Sequence, residues 1–290
     1  MGIYKETIKI ELFMKKNKKT VRNLTLSVIV LIAATCYWGC SNDKFDPNAN
    51  IPLDEKGDTE MASLISLKEL PWNYPIKPGT KEWGLLKTED ERIAALQIPE
   101  AILAKLTPEE TVGLCINLPA FGLYLAFDTP QEGFSVMLSR YNIIKHLMSC
   151  KDAGSSLLSA YKDTDLKGFE SYSYSNEYWS IKLYYIELLL SQEEILQSLS
   201  SEESLELLTK ARQTFSEKLD NEDFASFNGT LFTVRIMASV LDKEEYPQIT
   251  ASGSRTSVTR FAKEGTLDDK ALVDEIISAT DNYITSKTKL

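Results

Sequence analysis

Four prolines, Pro99, Pro108, Pro119 and Pro130, recur at spacings of 9, 11 and 11 residues and set the tightest limit on what this chain can fold into. Proline has no backbone N–H and clashes with the preceding turn inside a helix, yet it suits the first helical position, where that N–H has no partner anyway. Each of the four is therefore read as the start of a helix, and the region as short helices folded back on one another as hairpins. Thr107-Pro108-Glu109-Glu110 has the form of a capping box, in which the Thr107 hydroxyl accepts from the third helical N–H and Glu110 reaches back to the cap.

Downstream, the apolar stripes lengthen. Phe134, Met137, Leu138, Tyr141, Ile144 and Met148 fall at steps suited to one helix face, as do Phe227, Leu231, Val234, Ala238 and Leu241. Leu205, Leu208, Arg212, Phe215 and Leu219 repeat the step, with Arg212 an interruption whose stem can lie along apolar surface while its head reaches water. Trp179, Leu183, Ile186 and Leu190, and then Leu272, Ile276 and Tyr283, mark two further helices. Only Thr256 to Phe261 looks strand-like. The predicted class is all-α: packed helical hairpins forming an irregular bundle or a short α-solenoid. Ile102–Thr111 and Ile195–Ser204 echo each other as a helix ending at a capped helix start; convergence on capping chemistry and duplication both account for that.

The N-terminal segment reads as an address. Lys15, Lys16, Lys18, Lys19 and Arg22 precede an apolar stretch from Leu24 to Gly39, followed by Cys40-Ser41-Asn42-Asp43, the pattern of a lipoprotein export signal. The apolar stretch is shorter than the roughly 20 residues a membrane-crossing helix needs. Cys40 is the expected lipidation site. Gly39 fits the position before it, whereas Tyr37 stands where an aliphatic residue is usual, so Cys36, after Ala33-Ala34-Thr35, is the alternative. Glu6 and Glu11 do not suit a cationic start, which makes Met14 the plausible first residue. The expected organisation is a signal peptide over 1–39, a disordered, proline-broken tether over 40–81, and an all-α domain over 82–290 with an internal loop at 246–263. Two or three acyl chains on the cysteine would hold the chain on a membrane through lipid alone.

Residues 1–39 hold 7 of the 32 basic and 2 of the 42 acidic residues, so their removal leaves 25 against 40, a formal charge of −15. Such a surface repels phosphate backbones, which argues against nucleic acid as a partner. Cys115 and Cys150 sit in apolar contexts, either as buried thiols or as a disulfide permitted by export. His146 is the single histidine. It stands four residues before Cys150, short of the four ligands a structural zinc site needs, so neither a metal nor another cofactor is expected. Glu109-Glu110, Glu193-Glu194 and Glu202-Glu203 occupy predicted helix starts, where the helix dipole favours negative charge. No phosphate loop, nucleophile elbow or His-Glu-x-x-His is present. No catalytic residue is assigned. Tyr172 and Tyr174, among serines ahead of the Trp179 stripe, are the candidate binding surface.

The block from Tyr74-Pro75-Ile76-Lys77-Pro78-Gly79 through Gln97-Ile98-Pro99-Glu100, Leu118-Pro119-Ala120-Phe121 and Tyr141-Asn142 to Lys151-Asp152-Ala153-Gly154 resembles a group of predicted lipoproteins of Bacteroidota. The resemblance implies a lipid-anchored helical domain and carries no catalytic residue. Taken together, these readings predict an outer-membrane lipoprotein that acts as a non-catalytic binding or assembly component for a protein or glycan. The alternatives are a carbohydrate-active or cell-wall enzyme using paired carboxylates, and a glycan-binding accessory lipoprotein.

Overall fold

The computed structural model describes residues 70–164, 166, 176–221, 224, 227–247, 249, 255–267 and 269–289. Among these residues there are thirteen α-helices, one 3-10 helix and no β-strand, which makes the fold all-α as predicted. The helices are α1 (Lys81–Leu85), α2 (Glu89–Ala95), α3 (Glu100–Leu103), α4 (Pro108–Ile116), the 3-10 helix Phe121–Ala126, α5 (Pro130–Arg140), α6 (Asn142–Ser149), α7 (Ala153–Lys162), α8 (Asn176–Leu190), α9 (Glu193–Ser198), α10 (Ser201–Asp220), α11 (Phe227–Lys243), α12 (Arg255–Glu264) and α13 (Ala271–Thr288). None of the described helices is long and apolar enough to cross a membrane.

The four prolines all stand at helix starts. Pro108 and Pro130 occupy the first turns of α4 and α5, Pro99 caps α3, and Pro119 precedes Ala120, the cap of the 3-10 helix. Full capping boxes close α2 with Thr88 and Glu91, α4 with Thr107 and Glu110, and α10 with Ser200 and Glu203. The second and third of these are the two halves of the echo in the sequence, each following a short helix.

Three details differ from the sequence reading. The stripe Phe134–Met148 is divided between α5 and α6, because Tyr141 is extended at φ −107° and ψ 121°. The break is held from a distance. Gln97 donates to the Arg140 carbonyl at 3.1 Å and accepts from the Asn142 N–H at 3.1 Å. Asn142 in turn accepts from the Ile98 N–H at 3.1 Å and donates to the Ile98 carbonyl at 2.7 Å. The Arg140 carbonyl and the Asn142 N–H, which a continuous helix would have bonded internally, are satisfied by Gln97, and the Asn142 side chain ties the break to Ile98. The second correction concerns Thr256–Phe261, which is helical, within α12; Val258, Phe261 and Ala262 are buried at a helical step that a short window confuses with alternation. Of the loop read at 246–263, residues 255–263 thus belong to α12, and Pro247 and Ile249 are helical as well. Third, residues 70–80, assigned to the tether for their prolines, lie against the core: Tyr74 is buried, and Leu70, Trp72 and Ile76 pack beside it.

At the centre is α11, which packs against α8, α9, α10, α12 and α13. A second layer forms where α4 meets α6 and α7, and α7 joins the two by touching α8, α9 and α10. Two glycines allow close approach. A Cβ on Gly133 would lie 2.4 Å from the Tyr124 carbonyl oxygen, and one on Gly154 would lie 2.2 Å from Ser198 Oγ and 2.8 Å from the Ile195 carbonyl oxygen.

Candidate functional site

Cys40, Cys36, Tyr172 and Tyr174 lie outside the described residues. Trp179 belongs to α8, but its side chain is likewise outside the description. Cys115 and Cys150 are both free thiols. Cys115 is fully buried, with its sulfur 3.5 Å from the Tyr185 hydroxyl, and burial pushes its thiol up to about 12, so it stays protonated at neutral pH. His146 sits in the last turn of α6, whereas Cys150 is the extended residue that ends that helix, so they do not share a helical face. No group of three or more histidine, cysteine or acidic side chains able to hold a metal occurs among the described residues.

The predicted acidic pairs do stand in the first turns of α4, α9 and α10. Two of them converge. From α10, Glu203 accepts from Ser155 Oγ at 2.6 Å, and from α4, Glu109 accepts from Ser156 Oγ at 3.4 Å. Ser155 and Ser156 are neighbours in the first turn of α7, where Gly154 N–H also donates to Ser198 Oγ at 3.1 Å. A pair of carboxylates approached from two helices is the arrangement a glycosidase would need. Glu203, however, also closes its own capping box, accepting from the Ser200 N–H at 2.8 Å. The Ser155 hydroxyl, followed by the Ser200 amide, holds the Glu203 carboxyl below its usual range. It is an ionised acceptor with both oxygens engaged, and so a poor proton donor. This junction ties three helix starts together.

The most unusual chemistry lies deeper, and sequence reasoning did not single it out. Glu187 of α8 and Lys218 of α10 are wholly buried and form an ion pair at 2.6 Å. The Lys218 ammonium has three N–H groups, and each has a partner: Glu187 Oε2, the Gly229 carbonyl at 3.0 Å and Thr233 Oγ1 at 2.9 Å. Glu187 Oε1 accepts from Thr233 Oγ1 at 2.7 Å and from the Tyr161 hydroxyl at 3.0 Å. Tyr184 places its ring 4.7 Å from the ammonium. Helices α7, α8, α10 and α11 thus meet at one carboxylate. Burial lowers the Lys218 ammonium from its ordinary value, and Glu187 opposes that shift. The pair is enclosed, and every N–H of the Lys218 ammonium is engaged within the protein, which leaves it no donor for a substrate.

Two further cations are buried: Lys182 of α8, at 2 % exposure, donates to Asn117 Oδ1 at 2.6 Å, and Arg235 of α11 is at 3 % exposure. Its Nε donates to the Ala262 carbonyl at 2.9 Å; Nη2 donates to the Lys263 carbonyl at 2.9 Å and to Gln131 Oε1 at 2.6 Å. Burial alone lowers its guanidinium to about 10.

Two of the motifs that carry the resemblance meet in this fold. Gln97-Ile98 and Tyr141-Asn142 form the amide bracket around the helix break, and Gly154 is the close contact of α7 with α9. Comparison with protein-family models, with curated proteins and with solved structures finds no match to this chain.

Proposed function

We infer that this protein is a lipid-anchored lipoprotein of the cell envelope, placed at the outer membrane, that acts as a non-catalytic binding or assembly component. The address rests on the basic start, the short apolar stretch and Cys40. The non-catalytic reading is carried by one observation: the polar groups that resemble catalytic machinery are engaged in holding helices together. Glu110 and Glu203 complete capping boxes, Glu187 is closed off by Lys218, Thr233 and Tyr161, and Cys115 is a buried, protonated thiol. The acidic surface keeps molecules soluble and apart, which favours a specific partner over nonspecific adhesion.

Metabolic labelling with an alkyne fatty acid, combined with membrane fractionation, tests the anchor. The wild type should be labelled and released from membranes only by detergent, and Cys40→Ala should be unlabelled and soluble. Label that persists in Cys40→Ala and disappears in Cys36→Ala moves the anchor upstream; a wild type that takes no label refutes the lipoprotein reading. Incubation with cell-wall fragments and glycans tests the rest. Turnover abolished by Glu203→Gln or Glu109→Gln would replace this reading with the paired-carboxylate enzyme.

A further inference from the structure

We propose that the seam between α11 and α12 is a binding site for one small monovalent anion, a halide or a formate-sized carboxylate, held by Arg235 Nη1 and the Ser239 hydroxyl. The proposal is independent of the anchor and of any partner.

The seam follows from the helix repeat. Arg235, Ser239 and Asp242 lie at steps of four and three along one face of α11. Arg235 reaches the carbonyls of Ala262 and Lys263, and Asp242 accepts from Thr259 Oγ1 at 2.6 Å, so that face looks at α12, which runs antiparallel. Ser239 lies between them. Its hydroxyl is buried and has no hydrogen-bond partner.

Part of the Arg235 geometry has an ordinary explanation. Ala262 and Lys263 are in the last turn of α12, whose carbonyls lack partners within the helix, and a cation there suits the negative end of the helix dipole. Gly265, at φ +72°, ends that helix in the left-handed conformation and donates its N–H to the Phe261 carbonyl at 2.9 Å. That accounts for Nε and Nη2. It leaves Nη1, which is buried and has no hydrogen-bond partner. Every acceptor on the guanidinium is neutral: two carbonyls and the Gln131 amide. A guanidinium removed from water without a counter-charge is among the most unfavourable groups to bury, unlike the fully matched Lys218.

The surroundings select the ligand. With Nη2 and Nε already engaged, Arg235 cannot present the two-pronged fork that grips phosphate or a large carboxylate, so the contact is to a single atom. Three neighbouring oxygen acceptors repel a second negative charge, which excludes polyanions. Gly265 bounds the site: a Cβ there would lie 3.3 Å from Nη1, so a side chain at this position would crowd the guanidinium. Bound anion would neutralise Arg235 and strengthen the attachment of α12 to α11.

The test is thermal melting of the full-length chain while sodium chloride, or sodium formate, replaces the bulky sulfonate sodium HEPES at constant ionic strength. The wild type should show a saturable rise in melting temperature, about 5–10 °C once the anion is about a hundredfold above its dissociation constant. Gly265→Asp provides a tethered carboxylate beside Nη1 in a conformation that aspartate tolerates better than most residues. It should abolish the response. Gly265→Asn, of the same size without the charge, should retain a weakened one, and Ser239→Ala should weaken anion affinity several-fold. A wild type indifferent to chloride and formate overturns the proposal, whatever the variants do. So does a response of undiminished size in both Gly265→Asp and Ser239→Ala.

Discussion

The two ends of this domain solve the same problem differently. From α1 to α6 no helix exceeds 11 residues, whereas α8, α10, α11 and α13 run from 15 to 20. A short helix leaves most of its N–H and C=O groups without internal partners. The first region accordingly invests in end chemistry: Thr80, Thr88, Thr107 and Thr129 each cap a helix, and Gln97 and Asn142 bracket the break at Tyr141. Long helices satisfy themselves internally, and their difficulty is sliding or rotating past one another. The second region meets it with buried cations at single defined positions, Lys182, Lys218 and Arg235. Polar residues therefore do different work in the two regions. In the first they complete the backbone; in the second they set which helix faces which.

The largest expected effect strikes the second region. Lys218→Met or Glu187→Gln alone should destabilise the domain by about 3–5 kcal/mol, because the remaining partner is left buried without its counterpart. Replacing both, as Glu187→Leu with Lys218→Met, should recover most of that loss. Urea unfolding of the three variants measures it, and single variants that lose less than about 1 kcal/mol would remove the distinction between the regions. Next in size is Gly133→Ala. The new methyl meets Tyr124 backbone, which cannot step aside, at an expected loss of about 1–3 kcal/mol.

Asn142→Ala should cost a similar or smaller amount, about 1–3 kcal/mol, since it strands the Ile98 N–H and carbonyl. The discriminating readout is local: faster amide exchange at Ile98 and at the start of α6, with α10 and α11 unchanged. Thr107→Ala and Ser200→Ala should each cost about 1 kcal/mol. Exchange should then show α4 fraying through its length and α10 only at its first turn. The Glu203 carboxylate, held first by the Ser155 hydroxyl and then by the Ser200 N–H, also carries a pH signature. Glu203 has a lowered carboxyl in the folded state, so its contribution is present above the usual carboxylate range and disappears as pH falls through the folded value. Ser155→Ala, which removes the largest cause of the lowering, should flatten that part of the stability curve. The smallest effect belongs to the exposed pair Lys162 and Glu206, where Lys162→Gln should change stability by no more than about 0.5 kcal/mol.

What could be read in advance divides along the same line. The proline starts, the Thr107 box and the acidic first turns were legible because capping is local chemistry within four residues. The break at Tyr141 was not, since its bracket comes from residues more than forty positions away. Glu187 and Lys218 were missed because a charge on an amphipathic helix is ordinarily its solvated side. A signal did exist. Glu187 is the only charge in Leu183–Leu190, and Arg235 the only one in Phe232–Leu241, in runs too apolar to leave a wet face. Lys218 falls three residues after Phe215 on the buried face of α10, whereas Leu219, which continues the apolar stripe in the sequence, is only partly buried. The junction of Glu109 and Glu203 on α7 was legible only as two separate helix starts; their meeting is a product of the fold.

The convergence of α7, α8, α10 and α11 on the Glu187 carboxylate bears on how this domain breathes. Withdrawing Tyr161, Lys218 or Thr233 would leave charge facing an apolar interior, so no one of these helices can open by itself at low free energy. Partial opening is suppressed, and the four helices behave as one exchange unit whose amide protons are released together near the free energy of global unfolding. Short helices outside that unit, α1 to α3 among them, are free to open and reclose while the unit stays shut.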